Sequence, residues 1–90
     1  MTAKEFIDIA EKGLEENKAY MFIKIAPPAG ANITDARVEV IPQSLIEVTV
    51  SNYLIKADSD LRLIIECETI TDALCTNNLN ELSWFIKRVK

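Results

Sequence analysis

The 90-residue sequence predicts an α+β fold, in which a helix, a mostly antiparallel sheet of about four strands and a C-terminal helical region follow one another. Three observations predict this fold. Apolar residues recur at helical spacing near the N-terminus, alternate with polar residues over several short segments, and finally return to helical spacing. We expect the helices to pack on one face of the sheet. The length allows one hydrophobic core, so residues 1–90 are predicted to form one domain.

A capping box predicts the start of the first helix near Ala3. Thr2 and Glu5 lie three positions apart, the spacing at which their side chains satisfy backbone amides of the first helical turn. The helix is expected to end near Asn17. Its predicted inward residues are Ala3, Phe6, Ala10 and Leu14, with Ile7 and Ile9 at the flanks.

Two strands are predicted next. In residues 20–26 the apolar and polar positions alternate, with an inner set of Met21, Ile23 and Ile25 and an outer set of Tyr20, Phe22 and Lys24. Two prolines and a glycine end this strand. The alternation resumes at Asp35 and continues to about Ile41. The pairing of the first strand is left open, because the intervening loop is compatible with an edge connection and with a crossover.

A hairpin is predicted after Pro42. This proline fits the second position of a tight turn, after which Ile46, Val48 and Val50 alternate with polar residues as in a third strand. Residues 53–57 either extend that strand or form a short strand of their own.

The last strand and the C-terminal helical region complete the predicted fold. The strand covers residues 61–68, where apolar and polar residues alternate again. Thr71 and Asp72 are suitable caps for the helical region, which two adjacent asparagines divide into two parts. Its apolar stripe consists of Leu74, Cys75, Leu79, Leu82, Phe85, Ile86 and Val89.

The chain is acidic, with a formal net charge of −4 and a pI of about 4.7. This charge disfavours direct binding to nucleic acid or to an anionic membrane surface, and it favours a basic protein partner. No stretch of the sequence approaches the roughly 20 apolar residues that span a bilayer. We therefore expect a cytoplasmic protein. The abundance of isoleucine, lysine and asparagine agrees with AT-rich coding, as in low-GC bacteria and their phages.

The sequence predicts no catalytic, metal or cofactor site. It contains no histidine, which removes the commonest general base and a frequent zinc ligand. The two cysteines, Cys67 and Cys75, are spaced neither as a redox pair nor as a metal framework. Both occupy apolar positions of periodic segments, so we expect them to be structural thiols. We therefore expect a protein that is not an enzyme and binds no cofactor.

The predicted interaction site centres on Trp84. On a helical wheel its side chain points away from the apolar stripe, and Arg88 follows one turn later, where its guanidinium can stack on the indole. Tryptophan and arginine are both enriched at interface hot spots. Tyr20 and Phe22 lie on the predicted outer face of the sheet, which is less polar than a solvated face requires. We predict that these four residues contribute to a protein interface.

Three functions are compatible with these observations. We expect first a small acidic interaction module without enzymatic activity, such as a phage or mobile-element accessory protein or inhibitor. It would bind a protein partner or itself, for example as a homodimer. The second is a nucleic-acid mimic, whose acidic first helix occupies the basic groove of a nucleic-acid-binding protein. The third is a small histidine-free enzyme or ligand-binding protein, which needs a deep pocket lined by carboxylates.

Overall fold

The computed structural model describes residues 1–26, 37–56 and 69–88. The elements are α1 (Ala3–Glu15), β1 (Tyr20–Ile25), β2 (Arg37–Pro42), α2 (Gln43–Lys56), β3 (Ile70–Thr76), a short 3₁₀ helix (Leu79–Glu81) and α3 (Leu82–Lys87). The predicted α+β class is confirmed. Within these three ranges the sheet has three strands, in the order β2-β1-β3, and not the expected number of about four.

Helix α1 begins where the sequence predicts. Thr2 is the N-cap, and its hydroxyl oxygen accepts a hydrogen bond from the Glu5 amide at 3.1 Å. The Glu5 carboxylate in turn accepts a hydrogen bond from the Thr2 amide, which completes the capping box. Phe6, Ile7 and Ala10 form the buried side of the helix.

Asn17 turns the chain out of α1 in the left-handed region, with φ of 58°. The Lys18 amide donates to the Gly13 carbonyl at 2.8 Å, and the Asn17 amide donates to the Leu14 carbonyl at 3.0 Å. These two bonds form a Schellman motif, which satisfies carbonyls of the last helical turn. Asparagine tolerates the left-handed region better than most residues, so the chain passes from α1 into β1 with a short connection.

Strand β1 is central and pairs antiparallel with both neighbours. Its alternation gives the sheet two different faces. Met21 and Ile23 are buried with α1 and α2, on what we call the α1/α2 face. Phe22 and Lys24 point to the other side, which we call the α3 face. The core of the α1/α2 face consists of Phe6, Ile7, Ala10, Met21, Ile23, Ile46, Val50, Ile70 and Ala73.

The third strand predicted around residues 46–50 is wrong, because this segment belongs to α2. Ile46 and Val50 are 1% and 7% exposed, whereas Val48 between them is 53% exposed. Burial therefore repeats every four residues, as in a helix, and not every two. The β-branched residues favour a strand locally, but burial of Ile46 and Val50 in the core stabilises the helix.

The tight turn predicted at Pro42 is also wrong. Pro42 is the last residue of β2, and α2 begins at the next residue. The Gln43 amide donates to the Ala19 carbonyl at 2.9 Å, so backbone hydrogen bonding continues across the junction. Residues 53–56 belong to α2, which contradicts both strands predicted as alternatives for residues 53–57, of which residue 57 lies outside the described residues.

The segment expected to begin the C-terminal helical region is strand β3. Ile70 and Ala73 are buried on the α1/α2 face, whereas Asp72 is buried on the α3 face. The register shift between β1 and β3 makes Thr71 an extra residue, as in a β-bulge. Thr71 and Asp72 therefore do not cap a helix, and the bulge interrupts the alternation that would have indicated a strand.

Helical structure resumes only after β3. The Asn78 side chain caps the 3₁₀ helix by accepting a hydrogen bond from the Asn80 amide at 3.0 Å. The expectation that the helices share one face needs correction: α1 lies with α2, but α3 lies on the opposite face, because Phe85 packs on Phe22. The strand predicted over residues 61–68 lies outside the described residues.

Candidate protein-interaction site

Phe85 attaches α3 to the sheet. Its ring is fully buried and lies 5.6 Å from the ring of Phe22, at an interplanar angle of 50°. Tilted aromatic pairs at this distance are favourable beyond the apolar area that they bury. Since α3 has only six residues, it is too short to be stable in isolation and depends on tertiary contacts such as this one.

Phe22 is not part of an exposed surface, contrary to the sequence prediction. It is 0% exposed beneath α3. The prediction placed the C-terminal helix on the same face as α1, which would leave the Phe22 side of β1 in solvent. The alternation along β1 was right, but alternation alone does not show which faces of a sheet are covered.

Arg88 and Asp72 form an ion pair at the C-terminal end of α3. The Nε and Nη2 atoms of Arg88 donate to the two carboxylate oxygens of Asp72 at 2.7 and 2.6 Å. Asp72 is 1% exposed, and its Oδ1 also accepts a hydrogen bond from the Ala73 amide at 2.9 Å. Hydrogen bonding to Asp72 raises the pKa of Arg88, so the guanidinium keeps its charge throughout the physiological range.

Trp84 lies against this ion pair and is 54% exposed. The guanidinium carbon of Arg88 is 5.1 Å from the centroid of the Trp84 ring and 5.2 Å from that of Phe85. Arg88 therefore contacts both rings while it binds Asp72. The stacking expected from the spacing of Trp84 and Arg88 is present in the structure. The indole is open to solvent, but the Arg88 guanidinium on which it stacks is held in place by Asp72.

Lys24 restrains the backbone of Arg88. Its Nζ atom donates to the Arg88 carbonyl at 2.6 Å and lies 5.2 Å from the centroid of the Phe85 ring. The guanidinium of Arg88 is thus bound to β3 and its carbonyl to β1. Both strands belong to the sheet. Arg88, on which Trp84 stacks, is therefore held by hydrogen bonds to two neighbouring strands.

Trp84 and Ile86 lie on opposite flanks of α3. Successive helical residues are rotated by roughly 100°, so these two side chains point to either side of the buried Phe85. The Trp84 flank faces β3, because Arg88, one turn later on that flank, pairs with Asp72 of β3. The Ile86 flank therefore faces away from β3. Ile86 is half-exposed, as are Trp84 and Leu79, the first residue of the 3₁₀ helix that precedes α3.

Tyr20 lies on the α3 face but toward the other end of β1. It is partly exposed and lies four positions before Lys24, which corresponds to about 13 Å along a strand. Arg88 lies at the Lys24 end. The structure therefore brings Trp84 and Arg88 together, buries Phe22, and leaves Tyr20 at a distance from this pair.

Sequence reasoning missed the role of Asp72. It is an acidic residue inside an otherwise apolar or neutral segment, and a buried carboxylate in such a segment requires a charged partner. Arg88 is one of only three arginines in the chain. A lone acid in an apolar segment and a scarce arginine together indicate an ion pair. Because the two residues lie 16 positions apart, no local sequence pattern reveals this pair.

Cys75 is a free thiol between β3 and α1. Its Sγ donates to the Ile9 carbonyl at 3.5 Å, and burial raises its pKa, with a further increase from Glu16. The thiol is therefore protonated at neutral pH, which makes it a poor nucleophile. It lines a shallow cleft of about 230 Å³ together with Ile9, Lys12, Gly13, Glu16, Ala73 and Leu74. The predicted structural role of Cys75 agrees with this environment, whereas Cys67 lies outside the described residues.

The outward side of α1 carries four exposed acidic residues, Glu5, Asp8, Glu11 and Glu15. Lys12 interrupts this surface and lies 4.0 Å from Glu16 in an exposed pair. Such pairs contribute little to stability. Since α1 and α3 cover opposite faces of the sheet, the acidic surface and Trp84 lie on opposite sides of the protein.

Comparison with protein-family models, with curated proteins and with solved structures finds no significant match to this chain. In the described ranges, no three histidine, cysteine, aspartate or glutamate side chains are grouped so that they could hold a metal ion. None of the helices described above is long and apolar enough to cross a membrane. The function must therefore be inferred from the geometry of the protein itself.

Proposed function

We propose that this protein is a small, non-enzymatic interaction module that binds a protein partner through Trp84 and Arg88. One observation supports this function most directly. The indole is more than half exposed, yet it stacks on an arginine that a buried carboxylate holds in place. An exposed tryptophan contributes little to the stability of the fold, whereas tryptophan and arginine dominate many interface hot spots.

The restraint on Trp84 favours binding. A side chain that becomes immobile at an interface loses conformational entropy, at a cost of about 0.5–1.5 kcal/mol. Stacking on Arg88 removes part of this freedom before the partner arrives. Arg88 also has five N–H donors, of which Asp72 takes two, so further donors are suited to carbonyl or carboxylate oxygens of a partner.

We also propose that this module acts in the cytoplasm, as an accessory protein or inhibitor of the kind that phages and mobile elements encode. The sequence composition and the net charge of −4 support this setting. The same net charge disfavours direct binding to nucleic acid, so the partner is proposed to be a protein.

Trp84→Ala tests the proposed function. Partners are first captured with the immobilised wild-type protein from extracts of the encoding organism, and one purified partner is then titrated against each variant. We expect Trp84→Ala to weaken binding by about 2 kcal/mol, or roughly 30-fold in Kd. The free energy of unfolding should change by less than about 1 kcal/mol, because the side chain is largely exposed. Ile86→Ala is the matched control, since Ile86 is half-exposed on the opposite flank of the same helix.

A partner that binds Trp84→Ala as tightly as the wild-type protein would contradict this function. The nucleic-acid mimic predicts a different result, because its surface is the acidic side of α1. In that case Glu11→Gln combined with Glu15→Gln would abolish binding, the wild-type affinity would fall steeply with salt, and Trp84→Ala would have no effect.

A further inference from the structure

The α3 side of the sheet carries more positive than negative charge among the described residues, although the chain as a whole is acidic. The cations on this side are Lys24, Lys87 and Arg88. The acids are Asp72, which pairs with Arg88, and the partly exposed Glu81 before α3. Charges act mainly within a Debye length of about 8 Å at physiological ionic strength. A segment that docks on Trp84 therefore meets these cations and not the acids of α1, which lie on the opposite side of the sheet.

Lys24 and Arg88 converge on one aromatic ring. The Lys24 Nζ atom and the guanidinium carbon of Arg88 each lie 5.2 Å from the centroid of the Phe85 ring. Asp72 is the one carboxylate that binds either of these cations within the described ranges. Two positive charges beside the same ring therefore share a single negative charge.

Both cations have N–H donors to spare. Asp72 accepts from Nε and from one N–H of Nη2, so Arg88 keeps the second N–H of Nη2 and both of Nη1. Lys24 donates one of its three N–H groups to the Arg88 carbonyl. The part of the chain that the structure describes offers no acceptor to the other groups. The Arg88 side chain is 24% exposed, so water reaches it, and a partner that covers Trp84 displaces this water.

On the basis of the protein-binding function proposed above, we propose that the partner binds Trp84 through an acidic segment. An apolar side chain of this segment packs on the indole, and a neighbouring aspartate or glutamate binds the spare donors of Arg88 and Lys24. A covered N–H group without an acceptor costs free energy, so the segment must supply oxygen atoms. A carboxylate supplies them in charge-assisted hydrogen bonds and balances the second positive charge. A basic or purely apolar segment does neither.

Two other anionic partners fit this site less well. A single-stranded nucleic acid stacks its bases on aromatic rings, but it also needs a track of cations along several phosphates, and the net charge of −4 opposes it. The acidic side of α1 in a second copy supplies carboxylates. However, none of the large exposed apolar residues belongs to α1, so that side has no such residue to cover the indole.

Selection from a display library of random short peptides without tryptophan tests this partner chemistry. The immobilised wild-type protein is the target, and peptides that also bind Trp84→Ala are removed. We expect the retained peptides to be enriched in aspartate or glutamate next to a large apolar residue. Enrichment of basic or uncharged peptides overturns the acidic segment but leaves the proposed function standing. Recovery of no peptide that depends on Trp84 contradicts both.

One retained acidic peptide is then titrated into the protein, with the fluorescence of Trp84, the only tryptophan, as the readout. Replacing the acids of the peptide by their amides should raise the Kd at least about ten-fold, and it leaves the fold of the protein untouched. Lys24→Met should raise the Kd of the acidic peptide about three- to five-fold and that of the amide peptide not at all. Lys4→Met is the matched control, because it removes the same charge from the exposed side of α1 and should change neither Kd.

Three results would overturn the acidic segment. The first is an amide peptide that binds as tightly as the acidic one, and the second is an equal loss of affinity in Lys4→Met and Lys24→Met. The third is oligothymidylate that quenches Trp84 at a lower concentration than the acidic peptide does, in which case the proposed function fails as well. Sedimentation equilibrium tests the second copy. An oligomer that Glu11→Gln combined with Glu15→Gln converts to monomer, and that the acidic peptide also dissociates, would replace the separate partner by α1 of another molecule.

Discussion

Replacing Arg88 with methionine removes the guanidinium that pairs with a carboxylate almost without contact with solvent. Asp72 is 1% exposed and accepts two short hydrogen bonds from the guanidinium. Removing one member of a buried ion pair costs about 3–5 kcal/mol, because the remaining charge is desolvated. The Arg88 side chain keeps part of its surface in water, which reduces this penalty. We therefore expect Arg88→Met to lower the free energy of unfolding by about 2–4 kcal/mol.

Asp72→Asn separates the effect of charge from the effect of packing, because asparagine has nearly the same shape. In the wild-type protein this change should destabilise the fold, since Arg88 then faces a neutral side chain. In the Arg88→Met background it should stabilise the fold by about 1–2 kcal/mol, since it removes a buried negative charge that has lost its guanidinium partner. The same substitution thus has opposite signs in the two backgrounds.

Urea denaturation followed by circular dichroism measures these free energies. Trp84 is the only tryptophan, so its fluorescence reports separately on the site. The anisotropy of the folded protein should fall in Arg88→Met, because the indole loses the cation that restrains it. If Arg88→Met lowers the free energy of unfolding by less than about 1 kcal/mol, the ion pair does not stabilise the fold as argued. An Asp72→Asn effect of the same sign in both backgrounds would refute this stabilisation as well.

The pH dependence of this pair follows from the raised pKa of Arg88. A cation whose pKa is higher in the folded state contributes stability below its unfolded-state pKa, and this contribution disappears as the pH rises through the folded-state value. Hydrogen bonding to Asp72 raises the pKa of Arg88 from a value that is already far above neutrality. Titration of Arg88 should therefore not change stability anywhere in the neutral range.

Two further predictions concern the contact between α1 and β3. Gly13→Ala should destabilise the protein despite the better helix propensity of alanine, because the added Cβ would overlap Cys75 Sγ and lie 2.8 Å from Cys75 Cβ. Thermal unfolding should show partial recovery when Cys75→Ala is added, and a Gly13→Ala variant as stable as wild type would disprove the close contact. The buried thiol should react with iodoacetamide at neutral pH at least about ten-fold more slowly in the folded than in the unfolded protein, measured in a Cys67→Ala background. Because burial raises the Cys75 pKa, its contribution to stability is present below the unfolded-state pKa and declines at higher pH, a decline that Cys75→Ala should lack.

Sequence patterns correctly predicted the helix and the strand whose formation depends on interactions between residues close together in the chain. The capping box at Thr2 and Glu5 and the helical spacing of apolar residues define α1 because each interaction involves residues within one or two turns. Strand β1 was predicted for a similar reason, since alternation is a local property of an extended chain. The exposure of Trp84 was also predicted correctly, although the helix around it is shorter than expected.

The errors concern elements whose state depends on distant contacts. Ile46 and Val50 fit a strand by alternation and a helix by four-residue spacing, and packing in the core decides between them. Strand β3 contains a bulge and a buried Asp72, which pairs with Arg88, 16 positions away just beyond α3. The burial of Phe22 depends on which face α3 covers, and neither segment carries that information alone.

The direct passage from β2 into α2 has a mechanical consequence. No loop separates Pro42 from Gln43, and the hydrogen bond from Gln43 to Ala19 ties the junction to the start of β1. The direction of β2 therefore sets the direction in which α2 leaves the sheet, and this helical arm is about 21 Å long. A rotation of β2 by roughly 5° displaces the far end of this arm by about 2 Å. A small change in the orientation of β2 is thereby enlarged at the far end of α2, on the α1/α2 face of the sheet.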